Sequence, residues 1–302
     1  MKTVFVIGGT SFIGSHFTRL IAEKHASYRI VIIDCNRLHL NRGDEKENVS
    51  DIDGVLLESC DLKSPDDLRI LFSKYEANIV VNFAASINTK GIYNLLECCK
   101  EYSTVERFVQ TSTGEVYGEV IEGAAKETNA ICTRSHYAAA KLAAEQLALS
   151  YFYMYDVPVV VTRSSNNYGP NQEADTLIPI IISKSLKDED FPLYGDGEQI
   201  RNWIHVLDNC RALDVVMNFG QAGEIYNISS SFMMQDIDLA KKILKKLDKN
   251  NALICRMDAL SGQIMRSFLD NSKVRALGWR PEIDFEDGLN ETIEWYKKRI
   301  DE

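Results

Sequence analysis

The first strand-like run, Val4-Phe5-Val6-Ile7, breaks directly into Gly8-Gly9-Thr10-Ser11-Phe12-Ile13-Gly14, and helical periodicity then runs to Lys24. A strand, a glycine turn and a helix in immediate succession leave few folds open. Glycines at that junction allow the tight turn and bring the N–H groups of the helix start close to an anion. The rest of the first half has the same grammar: β-branched runs at 30–33, 55–57, 79–83, 108–111 and 157–162 alternate with helical segments at 65–75, 93–102 and 137–155. Such alternation specifies a Rossmann-type α/β fold with a doubly wound parallel sheet, and near-continuous apolar strands suit a sheet covered on both faces.

Asp34 stands twenty residues beyond Gly14, at the end of the second strand. A carboxylate there accepts both ribose hydroxyls of a dinucleotide and repels a 2′-phosphate, so NAD is expected rather than NADP, with Arg37 read as a solvated loop charge. Gly8, Ser11, Phe12, Ile13 and Gly14 are expected at the pyrophosphate, and Asp61 with Leu62, after the third strand, at the adenine. Further along, Tyr137 and Lys141 share one helix face at i and i+4. A lysine beneath the tyrosine would favour its phenolate and make a usable base of a group that normally titrates near pH 10 (about 10 unperturbed).

Composition narrows the partners. Of 302 residues 45% are hydrophobic, enough for one large core or two joined ones, and a formal net charge of -10 argues against nucleic acid or an anionic membrane as the main partner. Seven scattered cysteines, with no C-x-x-C pair and no histidine at zinc spacing, read as small buried hydrophobes in a reducing cytoplasm, and no metal site is expected. The first strand begins too early to leave room for a signal peptide, and no apolar run reaches the length of a membrane span. A cytoplasmic protein is expected.

Further segments bring a resemblance that spans nearly the whole chain. They are Phe83-Ala84-Ala85, Ser112-Thr113-Gly114-Glu115-Val116-Tyr117-Gly118, Ser165-Asn166-Asn167-Tyr168-Gly169-Pro170, Leu177-Ile178-Pro179, Tyr194-Gly195-x-Gly197-x-Gln199-x-Arg201-x-Trp203 and Tyr226-Asn227-Ile228. With the glycine turn and the Tyr-Lys pair, they resemble the extended short-chain dehydrogenases/reductases that act on nucleotide sugars, the NAD-dependent epimerase/dehydratase family, and most closely its dTDP-glucose 4,6-dehydratase branch. The resemblance implies an NAD-binding domain over residues 1–165 and a smaller mixed α/β nucleotide-sugar-binding domain over 166–302, with some segments exchanging between the two. It implies that Ala84, Ala85, Tyr137, Lys141 and Asn167 contact NAD. Thr113, Glu115, Tyr137 and Lys141 would be catalytic: Thr113 would bond the sugar hydroxyl being oxidised, Tyr137 take its proton and Glu115 remove the C5 proton. Asn166, Arg201, Asn227 and Arg266 would hold the nucleotide diphosphate, with Leu177, Ile178, Pro192 and Tyr194 near the base. A homodimer through a four-helix bundle is also implied, to which Leu142, Leu147, Tyr151 and Met154 would contribute.

Three departures from the family pattern bear on the reaction. Gly114 stands where the dehydratases carry the aspartic acid that protonates the departing C6 hydroxyl. Only Ser86 and Ile87 separate Ala85 from Asn88, where a substrate-contacting His-Val-Asp-x-Ser segment usually intervenes. Ser11 replaces the middle glycine of the phosphate turn. The leading expectation is 4,6-dehydration of a nucleoside-diphosphate hexose. A 4-epimerase or a uronate decarboxylase starts with the same C4 oxidation and needs no acid at position 114, and a binding protein that lost catalysis is the remaining alternative.

Overall fold

The computed structural model describes residues 1–34, 49–84, 89–259 and 261–301. In the first half β1 (Lys2–Ile7), β2 (Tyr28–Asp34), β3 (Leu56–Ser59), β4 (Ile79–Asn82), β5 (Arg107–Thr113) and β6 (Val159–Ser164) alternate with α1 (Phe12–Lys24), α2 (Pro65–Tyr75), α3 (Thr89–Glu101) and α4 (His136–Tyr155). The second half supplies β7 (Asn166–Tyr168), α5 (Leu177–Leu186), β8 (Phe191–Tyr194), β9 (Ile200–His205), α6 (Val206–Phe219), β10 (Ile225–Ile228), β11 (Phe232–Gln235), α7 (Asp236–Lys246), β12 (Ile254–Met257), α8 (Ser272–Ala276) and α9 (Phe285–Asp301). Strand β6 begins at Val159, two residues later than its apolar run suggests, because Pro158 has no N–H to give to a ladder.

Seven strands form one parallel sheet in the order β10-β6-β5-β4-β1-β2-β3. The period of two along β1 sorts its side chains into two cores. Phe5 and Ile7 pack with Leu68, Leu95 and Ala148 from α2, α3 and α4, while Val4 and Val6 pack with Phe17 and Ile21 from α1 and Leu213 and Val216 from α6. Because α6 covers the sheet beside α1 and β10 extends it next to β6, residues 206–228 belong to the cofactor-side unit. Residues 206–228 thus lie with the first unit although they follow the 165/166 boundary. The smaller unit holds the mixed sheet β11-β9-β7 and the pair β12-β8, packed with α5, α7 and α9 around Ile182, Leu239 and Leu289.

The strand order reverses at β1, which lies between β2 and β4. At such a point the loops leaving neighbouring strands diverge and open a crevice at the carboxyl ends. Gly8 turns with φ +72° there, and a Cβ on it would stand 3.2 Å from the Ala84 nitrogen at the end of β4. The helix-bundle expectation for α4 is partly corrected. Tyr151 is buried with its hydroxyl on Glu97, and Leu142 and Leu147 pack into the protein's own clusters, leaving Met154 exposed.

Candidate active site

The glycine turn is closed by its own atoms. Ser11 caps α1: its hydroxyl donates to the Gly8 carbonyl at 2.7 Å and accepts from the Gly14 N–H at 3.3 Å. It is thus committed within the turn rather than turned outward as a phosphate donor. A Cβ on Gly14 would lie 2.3 Å from the Gly8 oxygen, so the cradle exists only with glycine at that position. Phe12 and Ile13 open the helix, and their N–H groups have no partner within it. Those donors and the positive end of the helix form the anion site that the sequence implies.

Asp34 ends β2 beside the turn and is held there by Thr10, whose hydroxyl donates to Oδ2 at 2.5 Å. Asp61 Oδ1 accepts from the Lys63 N–H at 2.9 Å, and Leu62 is buried with its carbonyl accepting from Asn94. Ala84 lies at the end of β4 with its N–H on Asn82. Ala85, Arg37, Cys35 and the short loop at 85–88 fall outside the described residues. Around the carboxyl ends of β5 and β6, Ser112 Oγ, Ser165 Oγ and Asn167 Oδ1 are buried without hydrogen-bond partners. Buried polar atoms are rarely left so. Unspent donors and acceptors on this side of the crevice, with the glycine cradle and Asp34, fit the nicotinamide, pyrophosphate and ribose ends of NAD.

The four residues expected to be catalytic converge at the end of β5 and the start of α4. Thr113 ends β5 and accepts the Glu115 N–H at 3.3 Å, leaving its own O–H to donate. The short 3-10 turn Gly114–Tyr117 carries Glu115, whose Oε2 accepts from the Ser135 hydroxyl at 3.2 Å. Ser135 is also the N-cap of α4, accepting from the Ala138 N–H at 3.0 Å. One hydroxyl thus starts the helix that presents Tyr137 and Lys141 and steadies the carboxylate opposite them.

Their electrostatics differ from the simple expectation. Lys141 is buried and donates to the Thr111 carbonyl at 3.4 Å, and burial lowers its pKa from 10.5 to about 8. The Tyr137 phenol is pushed up to about 12, first by desolvation and then by the negative charge of Glu115. In this geometry the lysine is directed at a backbone carbonyl, and burial lowers its pKa, while desolvation and Glu115 raise that of the phenol. Tyr137 nevertheless exposes about half of its surface, at 47%.

On the substrate side, Arg201 and Arg266 sit on adjacent segments, paired through Ile200 and the 265–267 backbone. Arg201 Nε donates to both oxygens of buried Asp236, at 2.8 and 3.0 Å, which fixes the guanidinium by one edge. Arg266 is anchored by Nη1 on the Val120 and Gly123 carbonyls, at 2.7 and 2.9 Å. Two guanidiniums held by one edge suit an anion with several oxygens. Asn166 donates to the Asn202 carbonyl, Leu177 and Pro192 are half-buried, and Tyr194 is exposed on β8. Two expectations are corrected. Ile178 is fully buried in the core of the smaller unit, and Asn227 is fully buried with its amide spent on Tyr117 and Ala125.

Sequence reasoning missed three participants. Ser135 carried a usable signal, a serine just before the helix start. Asp236 behind Arg201, and Leu269 against Gly114, come from distant segments and had none.

A sequence model of the GDP-mannose 4,6 dehydratase family matches residues 5–292. The chain is 35% identical to the low-salt glycan biosynthesis protein Agl12 of Haloferax volcanii, over 97% of this chain and 98% of that one. It is 34% identical to a dTDP-glucose 4,6-dehydratase of Streptomyces niveus, over 97% and 92% respectively. Among solved structures it is similar to the dTDP-glucose 4,6-dehydratase of Bacillus anthracis in complex with NAD, with a TM-score of 0.92 at 32% identity, covering 100% of this chain and 98% of that one.

Proposed function

Because the chain belongs to the NAD-dependent nucleotide-sugar dehydratase and epimerase family of extended short-chain dehydrogenases/reductases, we propose that it catalyses 4,6-dehydration of a nucleoside-diphosphate hexose. The observation that carries this reading is the meeting of Thr113, Glu115, Tyr137 and Lys141 at the crevice beside the glycine turn and Asp34. NAD, which the glycine turn and Asp34 would hold, would supply reversible hydride transfer, from C4 and back to C6.

The protein's own residues supply positions and protons. Arg201 and Arg266 grip the diphosphate and bring the sugar to β5. Thr113 donates to the C4 oxygen and orients it, and Tyr137 takes the proton from that hydroxyl as the C–H bond is oxidised. The C4 ketone acidifies C5–H, which Glu115 removes, its carboxylate aimed by Ser135. The C6 hydroxyl then leaves as water. Gly114 has no proton to give, so Glu115 or solvent must protonate the leaving oxygen.

The same glycine favours a second reading, 4-epimerisation or decarboxylation, in which nothing leaves C6 with an enzyme-borne proton. Loss of catalysis with retained binding is a third. Mass spectrometry after incubation with NAD and, separately, dTDP-glucose, UDP-glucose and UDP-glucuronate decides among them. Loss of one water supports the dehydratase and loss of carbon dioxide the decarboxylase. An unchanged mass with an inverted C4 in the NMR spectrum supports the epimerase, and no change by either method the binding protein.

The reading also includes a cytoplasmic protein that forms a homodimer, with no membrane or nucleic-acid partner. No helix among the described residues is long and apolar enough to cross a membrane. Exposed Ala139, Ala143 and Met154 on α4, next to exposed Tyr93 on α3, support pairing through these two helices. Sedimentation at micromolar concentration tests it.

A further inference from the structure

Behind the catalytic residues lies a chain of four buried polar side chains that bond to one another. Glu145 is one turn beyond Lys141 and two beyond Tyr137 on α4, with no exposed surface. Both of its oxygens are taken by Arg163 of β6, which is 2% exposed: Nε donates to Oε2 at 3.0 Å and Nη2 to Oε1. Arg163 Nη1 donates onward to the Tyr117 hydroxyl at 2.7 Å, with the guanidinium 4.8 Å over the Tyr117 ring. That hydroxyl donates in turn to Asn227 Oδ1 at 2.8 Å, and Asn227 Nδ2 donates to the Ala125 carbonyl at 2.9 Å. Tyr117 is the last residue of the 3-10 turn that carries Glu115. The chain therefore runs from the helix of Tyr137 and Lys141, through the sheet, to the turn of Glu115.

An ion pair sealed this deeply is a poor stabiliser, because desolvation of both charges offsets their attraction and an apolar pair of equal volume would serve stability as well. It fixes geometry, since both the bidentate fork and the phenol between two partners have one good arrangement. Resting on the function proposed above, we propose that Glu145, Arg163 and Tyr117 are positioning residues, with Tyr117 setting Glu115 against the sugar and Glu145 setting Tyr137 and Lys141. The two partial reactions should then be separable. Oxidation at C4 depends on the helix, and loss of water depends on the turn.

The test compares wild type, Tyr117→Phe and Glu145→Gln in single turnovers, following reduced nicotinamide by its near-ultraviolet absorbance and product by mass. Tyr117→Phe keeps the ring over Arg163 and removes the hydroxyl that ties the turn to Arg163 Nη1 and Asn227 Oδ1. It should leave C4 oxidation within about twofold of wild type, slow water loss about tenfold and so accumulate reduced cofactor. Glu145→Gln should slow oxidation itself by about tenfold or more. Hydrogen exchange of the unliganded proteins gives a reading independent of turnover. Tyr117→Phe should loosen residues 114–118 and leave 136–141 as protected as before, while Glu145→Gln loosens 136–141. Equal slowing of both steps by Tyr117→Phe, no slowing of either, or exchange that rises uniformly in both segments overturns the inference. Absence of both reduced cofactor and dehydrated product in wild type would overturn the proposed function, and exchange alone would then decide the coupling.

Discussion

Substituting Gly114 by aspartate supplies the acid that the family resemblance implies at this position, and this chain should not accept it. A Cβ at position 114 would stand 2.8 and 2.9 Å from Leu269 Cδ1 and Cδ2 and 3.1 Å from Cγ. Leu269 cannot swing away cheaply: it is 1% exposed, packed with Val116, Tyr117 and Ala125, and bridged through its backbone to Ala125. Overpacking of this kind costs about 1–3 kcal/mol. The new carboxylate would also be ionised against an apolar cluster with Glu115 next in sequence. Desolvation and like charge raise its pKa, and a rise of about two pH units costs a further ~2.7 kcal/mol at pH 7. The sum, roughly 4–6 kcal/mol, is a large part of the stability of an ordinary domain (about 5–15 kcal/mol) and should lower Tm by about 6–10 °C. Thermal denaturation of Gly114→Asp, Gly114→Ala, Leu269→Ala and the double variant G114D/L269A separates the contributions. Gly114→Ala carries only the steric part. For aspartate the folded pKa is above the unfolded one, so the electrostatic penalty is complete at pH 7 and disappears as pH falls below the unfolded value (about 3.9); the gap between the aspartate and alanine variants should close by then. Leu269→Ala alone should cost about 2–5 kcal/mol, and the double variant less than the sum of the singles by about 1–3 kcal/mol. If Gly114→Asp melts with wild type, or Leu269→Ala gives it no relief, then Leu269 does not fill the place of the missing acid.

Lys141→Met should abolish turnover yet raise the Tm of the unliganded protein at pH 7. Lowering a lysine pKa from 10.5 to about 8 is worth up to about 3 kcal/mol against folding. The penalty is complete below pH 8, where both states are protonated, and is gone above the unfolded value, so the advantage of the variant should shrink as pH rises through that window. Asp34→Ser should weaken NADH binding by about tenfold and NADPH binding much less, read by fluorescence titration, because the lost group bonds the ribose and repels a 2′-phosphate. Gly14→Ala, whose Cβ would meet the Gly8 oxygen at 2.3 Å, should abolish NADH binding in the same titration while leaving a folded protein by circular dichroism.

Legibility in the chain tracks the range of the interactions involved. The α/β alternation is a local pattern, and six of the seven large-sheet strands coincide with apolar runs separated by helical periodicity. Strand β10 escapes that logic, because it reaches the sheet only after the chain has built part of the smaller unit. Local motifs set where their residues stand in the chain of elements: the turn at 8–14 between β1 and α1, Asp34 at the end of β2, and Tyr137 with Lys141 at the start of α4. Such motifs do not place residues whose role depends on distant partners. Asn227 looks like a ligand for phosphate in a motif and is instead consumed by Tyr117 and Ala125, more than a hundred positions away. Gly114 looks like a vacancy in the sequence and is instead where Leu269 packs, from the last quarter of the chain.

The Tyr137–Lys141 pair carries this distinction into chemistry. Spacing alone places the two on one helix face, but the sign of their mutual effect depends on what else is near, and here burial and Glu115 prevail: the phenol stands at about 12 and the ammonium at about 8. At neutral pH such a phenol is a poor base. It becomes a useful one when a positive charge enters the crevice next to it, and the oxidised nicotinamide ring carries one where the reduced ring does not. Linkage makes the effect reciprocal: whatever lowers the phenol pKa on binding must itself bind more tightly once the phenol has ionised. NAD+ affinity should therefore rise with pH through the alkaline range and NADH affinity should stay flat, with the difference removed in Tyr137→Phe. Equal pH dependence for the two forms would mean that the nicotinamide does not lie against Tyr137, and the assignment of the phenol as the C4 base would fall with it.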